Sequence, residues 1–197
     1  MIGSVKNALR KVLNGHLVSV FELQNLVCEI EGILNSRPLT PISDVCSDVL
    51  TPAHLLGYSP NLGLPPFDGR EEDPDFLPPR EAQKSQKFVD FWQREQMSAD
   101  RFWSIWSTEY LLNLRELHAR SANPKKDGES SFGCPKVGTV VLVRDSTPRS
   151  QWKLGRISEL IVGGDGVARS ARVLMPNHKT LLRAVKHLVP LEVPGGE

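Results

Sequence analysis

The stretch EAQKSQKFVDFWQREQMSADRFWSIWSTEYLLNLRELHAR, residues 81–120, decides the fold of this chain because it contains neither glycine nor proline over forty residues. Its large apolar side chains recur at helical spacing and form one stripe: Phe88, Phe91, Trp92, Phe102, Trp103, Trp106, Tyr110, Leu111, Leu114 and Leu117. This pattern predicts one long helix, or two abutting helices that break near Met97 to Ala99. The stripe requires a partner surface, which is another part of the fold, a second subunit, or a ligand or nucleic-acid base.

Upstream of this helix, the sequence predicts two shorter amphipathic helices. Apolar residues at three- and four-residue steps between Ile2 and Leu13 mark the first, and Asn14-Gly15 ends it. Ser19 and Glu22 have the spacing of a capping box, which predicts a second helix from Val20 to Asn35. This helix stops before Pro38, because proline disfavours helical backbone in the residue before it.

A proline-rich connector separates these helices from the long one. Nine prolines lie between Pro38 and Pro79, together with acidic clusters and little periodicity, which predicts an extended connector over residues 41–80. Within it, Thr51-Pro52 predicts one short helix with proline at its first position.

Downstream, the hydrophobic period changes from that of a helix to that of a strand. Residues 121–136 are polar and form a linker, and five short strands follow at 137–144, 151–161, 167–175, 179–184 and 186–191. The expected fold is therefore α+β, with helical segments at 1–40 and 81–120 and a small SH3-like β-barrel at 137–193.

The charge balance is close to neutral as a whole but uneven along the chain. The 24 Lys and Arg residues against 23 Asp and Glu give +1, yet residues 41–80 sum to −5 and residues 134–197 to +5. This division indicates a localised basic module. Cys28, Cys46 and Cys134 form no Cys-x-x-Cys pair, and no membrane-length apolar run occurs, so we expect an intracellular protein without a membrane partner.

Several motifs resemble the integrase region of BEL/Pao-type long-terminal-repeat retrotransposons. They stand in the family's order and span nearly the whole chain: IEGILNSRPLTP (30–41), LTPAHLLG (50–57), FWSIW (102–106) with EYL (109–111), WKLGRI (152–157), DG (165–166) and LVPL (188–191). The resemblance implies that residues 1–40 are the last helices of a ribonuclease H-like catalytic core and that residues 137–193 are the C-terminal SH3-like domain.

The resemblance also implies that this chain is not an enzyme by itself. The two Asp and one Glu that hold Mg²⁺ or Mn²⁺ in the family would lie upstream of Met1, so these metals are expected only in the full-length parent. Of the three acidic residues among the first forty, Glu22 is expected to cap a helix. Glu29 and Glu31 are two residues apart on that helix, so their carboxylates cannot bind a common ion. We therefore predict no catalytic residue, metal site or cofactor here.

The expected partner is DNA, contacted through its phosphate backbone with weak sequence preference. Arg149, Lys153 and Arg156 flank Trp152, whose ring could stack on a base or pack in the core. Further candidates on or between the strands are Arg169, Arg172, Lys179 and Arg183, with Arg144 and Lys186 in the same basic set. By resemblance, Lys6 and Arg10, one helical turn apart, are also candidate DNA contacts. For all of these cations a solvated surface is the alternative.

Two other classes of function are a chromatin reader and a protein without DNA binding. A methyl-lysine reader needs an aromatic cage, and residues 135–193 contain only Trp152, so such a cage cannot be built within the module. An inactive structural relic, or a protein-interaction module without DNA binding, remains the alternative; self-association or contact with the rest of an integrase would then be the interaction. The resemblance implies nuclear localisation, although the sequence shows no targeting signal.

Overall fold

The computed structural model describes residues 2–42, 49–57, 79–121 and 136–192, and it gives side-chain positions in these ranges except at 79–86 and 121. The helices are α1 (Ile2–Leu13), α2 (Val20–Asn35), α3 (Pro52–Leu55) and α4 (Pro79–Ser121). A two-stranded ribbon pairs β1 (Thr40–Pro41) with β2 (Val49–Leu50). The remaining strands are β3 (Val140–Val143), β4 (Leu154–Val162), β5 (Ala168–Leu174), β6 (Thr180–Ala184) and β7 (Leu188–Pro190), with a 3-10 turn at Val185–His187 before the last.

The first two helices form where local signals place them. The predicted span of α2 is confirmed, and its capping box is complete: the Ser19 hydroxyl accepts from the Glu22 amide, and the Glu22 carboxylate accepts from the Ser19 amide. Asn14 and Gly15, both at positive φ, end α1. The short helix α3 is also confirmed, with Pro52 in its first turn and the Thr51 hydroxyl as its cap.

The long helix α4 is continuous over 43 residues, which corresponds to about 65 Å at 1.5 Å per residue. The break considered near Met97 to Ala99 is absent, and the Ala99 side chain is buried in the core. Helices α1 and α2 both pack against α4, and the part of its apolar stripe from Phe102 to Leu114 is buried within the chain. Phe88 and Leu117, near the two ends of the stripe, are exposed. None of the helices in the described part of the chain has the length and apolar character needed to cross a bilayer.

The five C-terminal strands form one antiparallel sheet in the order β6-β5-β4-β3-β7. The sequence placed each strand to within a few residues of its observed position. The prediction of a closed barrel is not met, because the described strands form an open sheet whose edges are β6 and β7. The observed fold is thus mixed α+β with an open five-stranded sheet.

Strand β3 is buried on both faces and places the sheet against the helices. Val140 and Leu142 belong to the core shared with α1, α2 and α4, whereas Val141 and Val143 pack in a second core with residues of β4, β5 and β7. The connector over residues 41–80 falls largely outside the described residues, as does most of the linker over 121–136.

Candidate nucleic-acid interface

Trp152 joins the sheet to the long helix. Its ring packs edge-on against Trp103, with ring centroids 4.7 Å apart, and against Tyr110 at 5.5 Å and Trp106 at 6.1 Å. The Trp103 indole N–H donates to the Thr147 carbonyl at 3.0 Å and fixes the loop that precedes β4. Of the two alternatives for Trp152, the structure therefore uses the ring in packing between sheet and helix.

Arg149 connects the same loop to α2 and α4. Its guanidinium lies 3.8 Å from a Glu29 carboxylate oxygen and 3.4 Å from an Asp100 oxygen, and it donates to the side chain of Gln96. Its side chain is 19% exposed. With two carboxylates beside it, Arg149 presents little uncompensated charge to an external phosphate.

Two further predicted cations share one carboxylate at the end of β3. Lys153 Nζ lies 2.7 Å and Arg183 Nη2 3.3 Å from the same oxygen of Asp145. The hydrogen bond from Lys153, together with that from the Ser146 amide, lowers the pKa of Asp145 below its usual value. Asp145 is therefore ionised at neutral pH and offsets part of the charge of this pair.

Cross-strand and turn ion pairs hold two more predicted cations. Arg172 on β5 donates to Glu159 on β4 at 2.6 Å, and Arg169 lies 2.5 Å from Asp165 in the preceding turn. The hydrogen bond from Arg169 lowers the pKa of the Asp165 carboxyl. The Arg172, Glu159 and Arg169 side chains are more than half exposed, so these pairs lie at the surface.

Six other basic side chains have no carboxylate within 4 Å among the residues that the structure describes. Lys179 and Lys186 are exposed in this way on the sheet unit, as are Lys136 and Arg144, and Lys6 and Arg10 are exposed on α1. Arg156 is half-buried on the helix-facing side of β4, where it pairs with Val140 and Leu174 across the sheet. Apart from Arg156, the predicted candidates thus divide into cations beside a carboxylate and cations with none within 4 Å among the described residues.

A groove of about 660 Å³ separates the last turns of α4 from the edge of the sheet. Its walls bring together three basic side chains from distant parts of the chain: Arg115 on α4, Arg169 on β5 and Lys186 in the 3-10 turn. Ala119, Ala168 and Ala184 are among its other lining residues, and no carboxylate is one of them. The sequence had not singled out Arg115, because only the fold brings it beside a residue 71 positions away.

A second polar cluster fastens the end of the sheet to the helices. The Tyr110 hydroxyl donates to Glu192 at 2.8 Å, and Arg37 Nε donates to the same Glu192 oxygen at 3.1 Å. Arg37 Nη1 also donates to the Leu34 carbonyl at 2.8 Å, which holds the loop that follows α2. Glu192 was not anticipated, because nothing local in the sequence indicates its partners.

The carboxylates of the described residues do not fit the metal site of a polynucleotidyl transferase. No three His, Cys, Asp or Glu side chains in the described part of the chain are placed to share an ion. Glu29 turns toward Arg149, and the neighbouring Glu31 is exposed.

The structure thus defines a protein in which a long helix and an open antiparallel sheet share one aromatic core and carry a basic groove between them. The chain belongs to a family described as a family of unknown function (DUF5641), whose match covers residues 90–191, just over half of the chain. The matched region begins within α4 and ends after β7, so it contains the helix-sheet unit. No curated protein and no solved structure matches the chain.

Proposed function

We propose that this chain is a non-catalytic nucleic-acid-binding module that holds duplex DNA by its phosphate backbone, as part of an integrase-like retroelement protein. One observation carries the proposal: residues 136–192 contain ten Lys and Arg residues against four Asp and Glu residues, in a module with exposed, unpaired cations. A net charge of +6 on a unit of this size attracts polyanions without reading base sequence.

The ion pairs within the module are compatible with this function. The Arg172 and Glu159 side chains are 56% and 54% exposed, and an exposed pair contributes little net free energy, so Arg172 can exchange its carboxylate for a phosphate. Lys136, Arg144, Lys179 and Lys186 need no such exchange. DNA binding would release counterions from each phosphate that these groups neutralise, which makes the affinity depend on salt.

The strand connectivity supports an SH3-like assignment for the module. Four strands follow one another as a meander, a 3-10 turn comes next, and the last strand pairs with the first. By resemblance alone, we propose that α1 and α2 correspond to the end of a ribonuclease H-like core and that the protein acts in the nucleus. The proposal assigns no catalytic step to this chain, and Mg²⁺ or Mn²⁺ would act only in a full-length parent.

The proposal is tested with the whole chain and a labelled duplex of 20 base pairs. Fluorescence anisotropy from 50 to 300 mM NaCl gives the dissociation constant at each salt concentration. We expect a linear fall of log affinity with log salt, and a slope about 2 smaller in magnitude for the double variant Arg144→Gln, Lys179→Gln. The matched control, Lys87→Gln with Arg101→Gln on α4, removes the same charge from outside the module. A salt-independent affinity, or equal effects of the two double variants, would contradict the proposal.

A second candidate function, protein association, is favoured by the exposed apolar side chains of α2. Val20 and Val27 are 82% and 47% exposed on a helix whose other face is buried against α4, and Phe21, whose ring stacks on Phe91 of α4, is still 63% exposed. Contiguous exposed apolar surface commonly marks an interaction site. Sedimentation velocity of the wild-type chain and of Val27→Asp tests self-association through this face. If both proteins sediment as monomers at every concentration, self-association is rejected.

A further inference from the structure

We propose that the groove between α4 and the sheet is a seat for one DNA phosphate, which Arg115 and Lys186 hold jointly. This inference rests on the proposed function and adds a defined location and a contribution from the long helix. The seat lies where the C-terminal part of α4 passes β5, the end of β6 and the 3-10 turn.

The charges of the groove favour an anion. Arg115 and Lys186 have no carboxylate within 4 Å among the described residues. Arg169 is a third cation at the groove and forms an ion pair with Asp165. These groups come from α4, the 3-10 turn and β5, so the fold itself assembles them. A site that collects cations from three elements without an acidic lining residue is complementary to a phosphate.

The hydrogen bonding of Arg115 prepares it for this role. Its Nη1 donates to the Lys186 carbonyl at 3.3 Å, which ties the end of α4 to the segment that carries the Lys186 ammonium group. A guanidinium has five N–H donors in a planar fork, so donors remain for an oxyanion after this bond is made. Because this bond already holds the Arg115 guanidinium at the groove, less conformational freedom of Arg115 is lost on binding.

The size and lining of the groove favour an extended backbone over a compact ion. A volume of about 660 Å³ lies in the range of ligand-binding clefts, and alanines from α4, β5 and β6 contribute short side chains to its walls. Short side chains allow a sugar-phosphate chain to approach without displacing larger groups. We infer a DNA strand rather than an acidic peptide as the occupant, because the net charge of +6 on residues 136–192 attracts a long polyanion to the module as a whole.

The test is a double-mutant cycle on the whole chain, with the same 20-base-pair duplex and salt series. If both cations neutralise one phosphate, Arg115→Gln and Lys186→Gln alone each weaken binding while the salt slope changes by less than about 0.5, because the other cation still neutralises the phosphate. The double variant then loses about 0.9 in slope and about tenfold or more in affinity. Arg115→Lys, which keeps the charge, retains the wild-type slope.

Any one of four results would overturn the seat. The double variant could have the same affinity and salt slope as the control Lys87→Gln. Alternatively, each single variant could lower the slope by about 0.9 and the double variant by about 1.8, which would mean that the two cations neutralise separate phosphates. Polyglutamate of the same total charge as the duplex could bind as tightly as DNA and lose the same affinity in the double variant. That result would indicate an acidic protein ligand. If the wild-type chain shows no salt-dependent binding, both the proposed function and the seat are contradicted. If the wild type binds but the Arg115 and Lys186 variants do not change its binding, only the seat is contradicted. Thermal melts of each variant show whether the fold is retained.

Discussion

Removal of one hydroxyl, in Tyr110→Phe, tests how the cluster of Arg37, Tyr110 and Glu192 fastens the sheet to the helices. Tyr110 is 7% exposed, and its hydroxyl donates to Glu192 at 2.8 Å while Arg37 donates to the same oxygen. Burial, reinforced by the adjacent Glu192 carboxylate, raises the pKa of Tyr110 far above its usual value of 10.0. The phenol therefore stays protonated in the folded chain well into the alkaline range.

Two effects of opposite sign determine the free energy of unfolding of this variant. At pH 7 the loss of a hydrogen bond to a charged acceptor costs about 2 kcal/mol. Above pH 10 the tyrosine of the unfolded chain ionises while the folded one does not, so the wild type loses stability as the pH rises, by about 1.4 kcal/mol at pH 11. Phenylalanine has no proton to lose, so the difference between the two proteins shrinks to about 0.6 kcal/mol at pH 11.

Urea denaturation at pH 7, 9, 10 and 11, followed by far-ultraviolet circular dichroism, measures this difference. All other titrating groups are common to the two proteins and cancel in the comparison. A difference that is the same at pH 7 and pH 11 would refute the raised pKa of Tyr110. A variant as stable as the wild type at pH 7 would refute the contribution of the hydroxyl to the cluster.

Three further predictions concern the contacts that hold the sheet on the helices, and urea denaturation measures each. Trp152→Ala is expected to lower the free energy of unfolding by about 3 to 5 kcal/mol, because it removes the packing against Trp103 and leaves a cavity there. Gly155→Ala is expected to cost about 1 to 3 kcal/mol, because its Cβ would collide with the Val173 side chain, whereas Gly164→Ala meets nothing within 4 Å and serves as the neutral control. Arg149→Ala is expected to cost about 2 kcal/mol through its lost contacts on α2 and α4, with no loss of salt slope in DNA binding.

The helices could be predicted from the sequence because their signals are local. The capping box of α2 and the proline of α3 act within four residues, so the residue types alone define where these helices begin. The local sequence does not determine whether α4 continues through Met97 to Ala99, because the continuous helix buries Ala99 in the core shared with distant segments.

Sheet closure could not be predicted in the same way. The alternation of apolar residues indicates which strands form, but β3 is buried on both faces and gives no alternation to read. One of its faces belongs to the core that includes Trp106 of α4, a contact between distant segments. Whether the sheet closes depends on such contacts, and the strand pattern alone does not contain them.

The candidate site shows the same division between local and distant information. The Arg169 pair with Asp165 joins residues four apart, but the Arg172 pair with Glu159 depends on strand register, including the irregularity after Ile157. Arg115 and Lys186 meet only through the packing of α4 on the sheet. A count of basic residues therefore locates the module, whereas only the fold separates free cations from neutralised ones.

The net charge of the whole chain, +1, conceals an uneven distribution, and part of the local charge is neutralised in the fold. Division by segment reveals a basic module, and the structure then removes part of that charge again through the carboxylates of Asp145, Glu159 and Asp165. Among the described residues, Lys186 keeps no carboxylate within 4 Å, and its carbonyl accepts a hydrogen bond from Arg115 at the groove. Both walls of this groove lie within residues 90–191, the region matched by the family. If the groove binds phosphate, the property therefore belongs to the helix-sheet unit that defines the family, and α1 to α3 are not needed to form its walls.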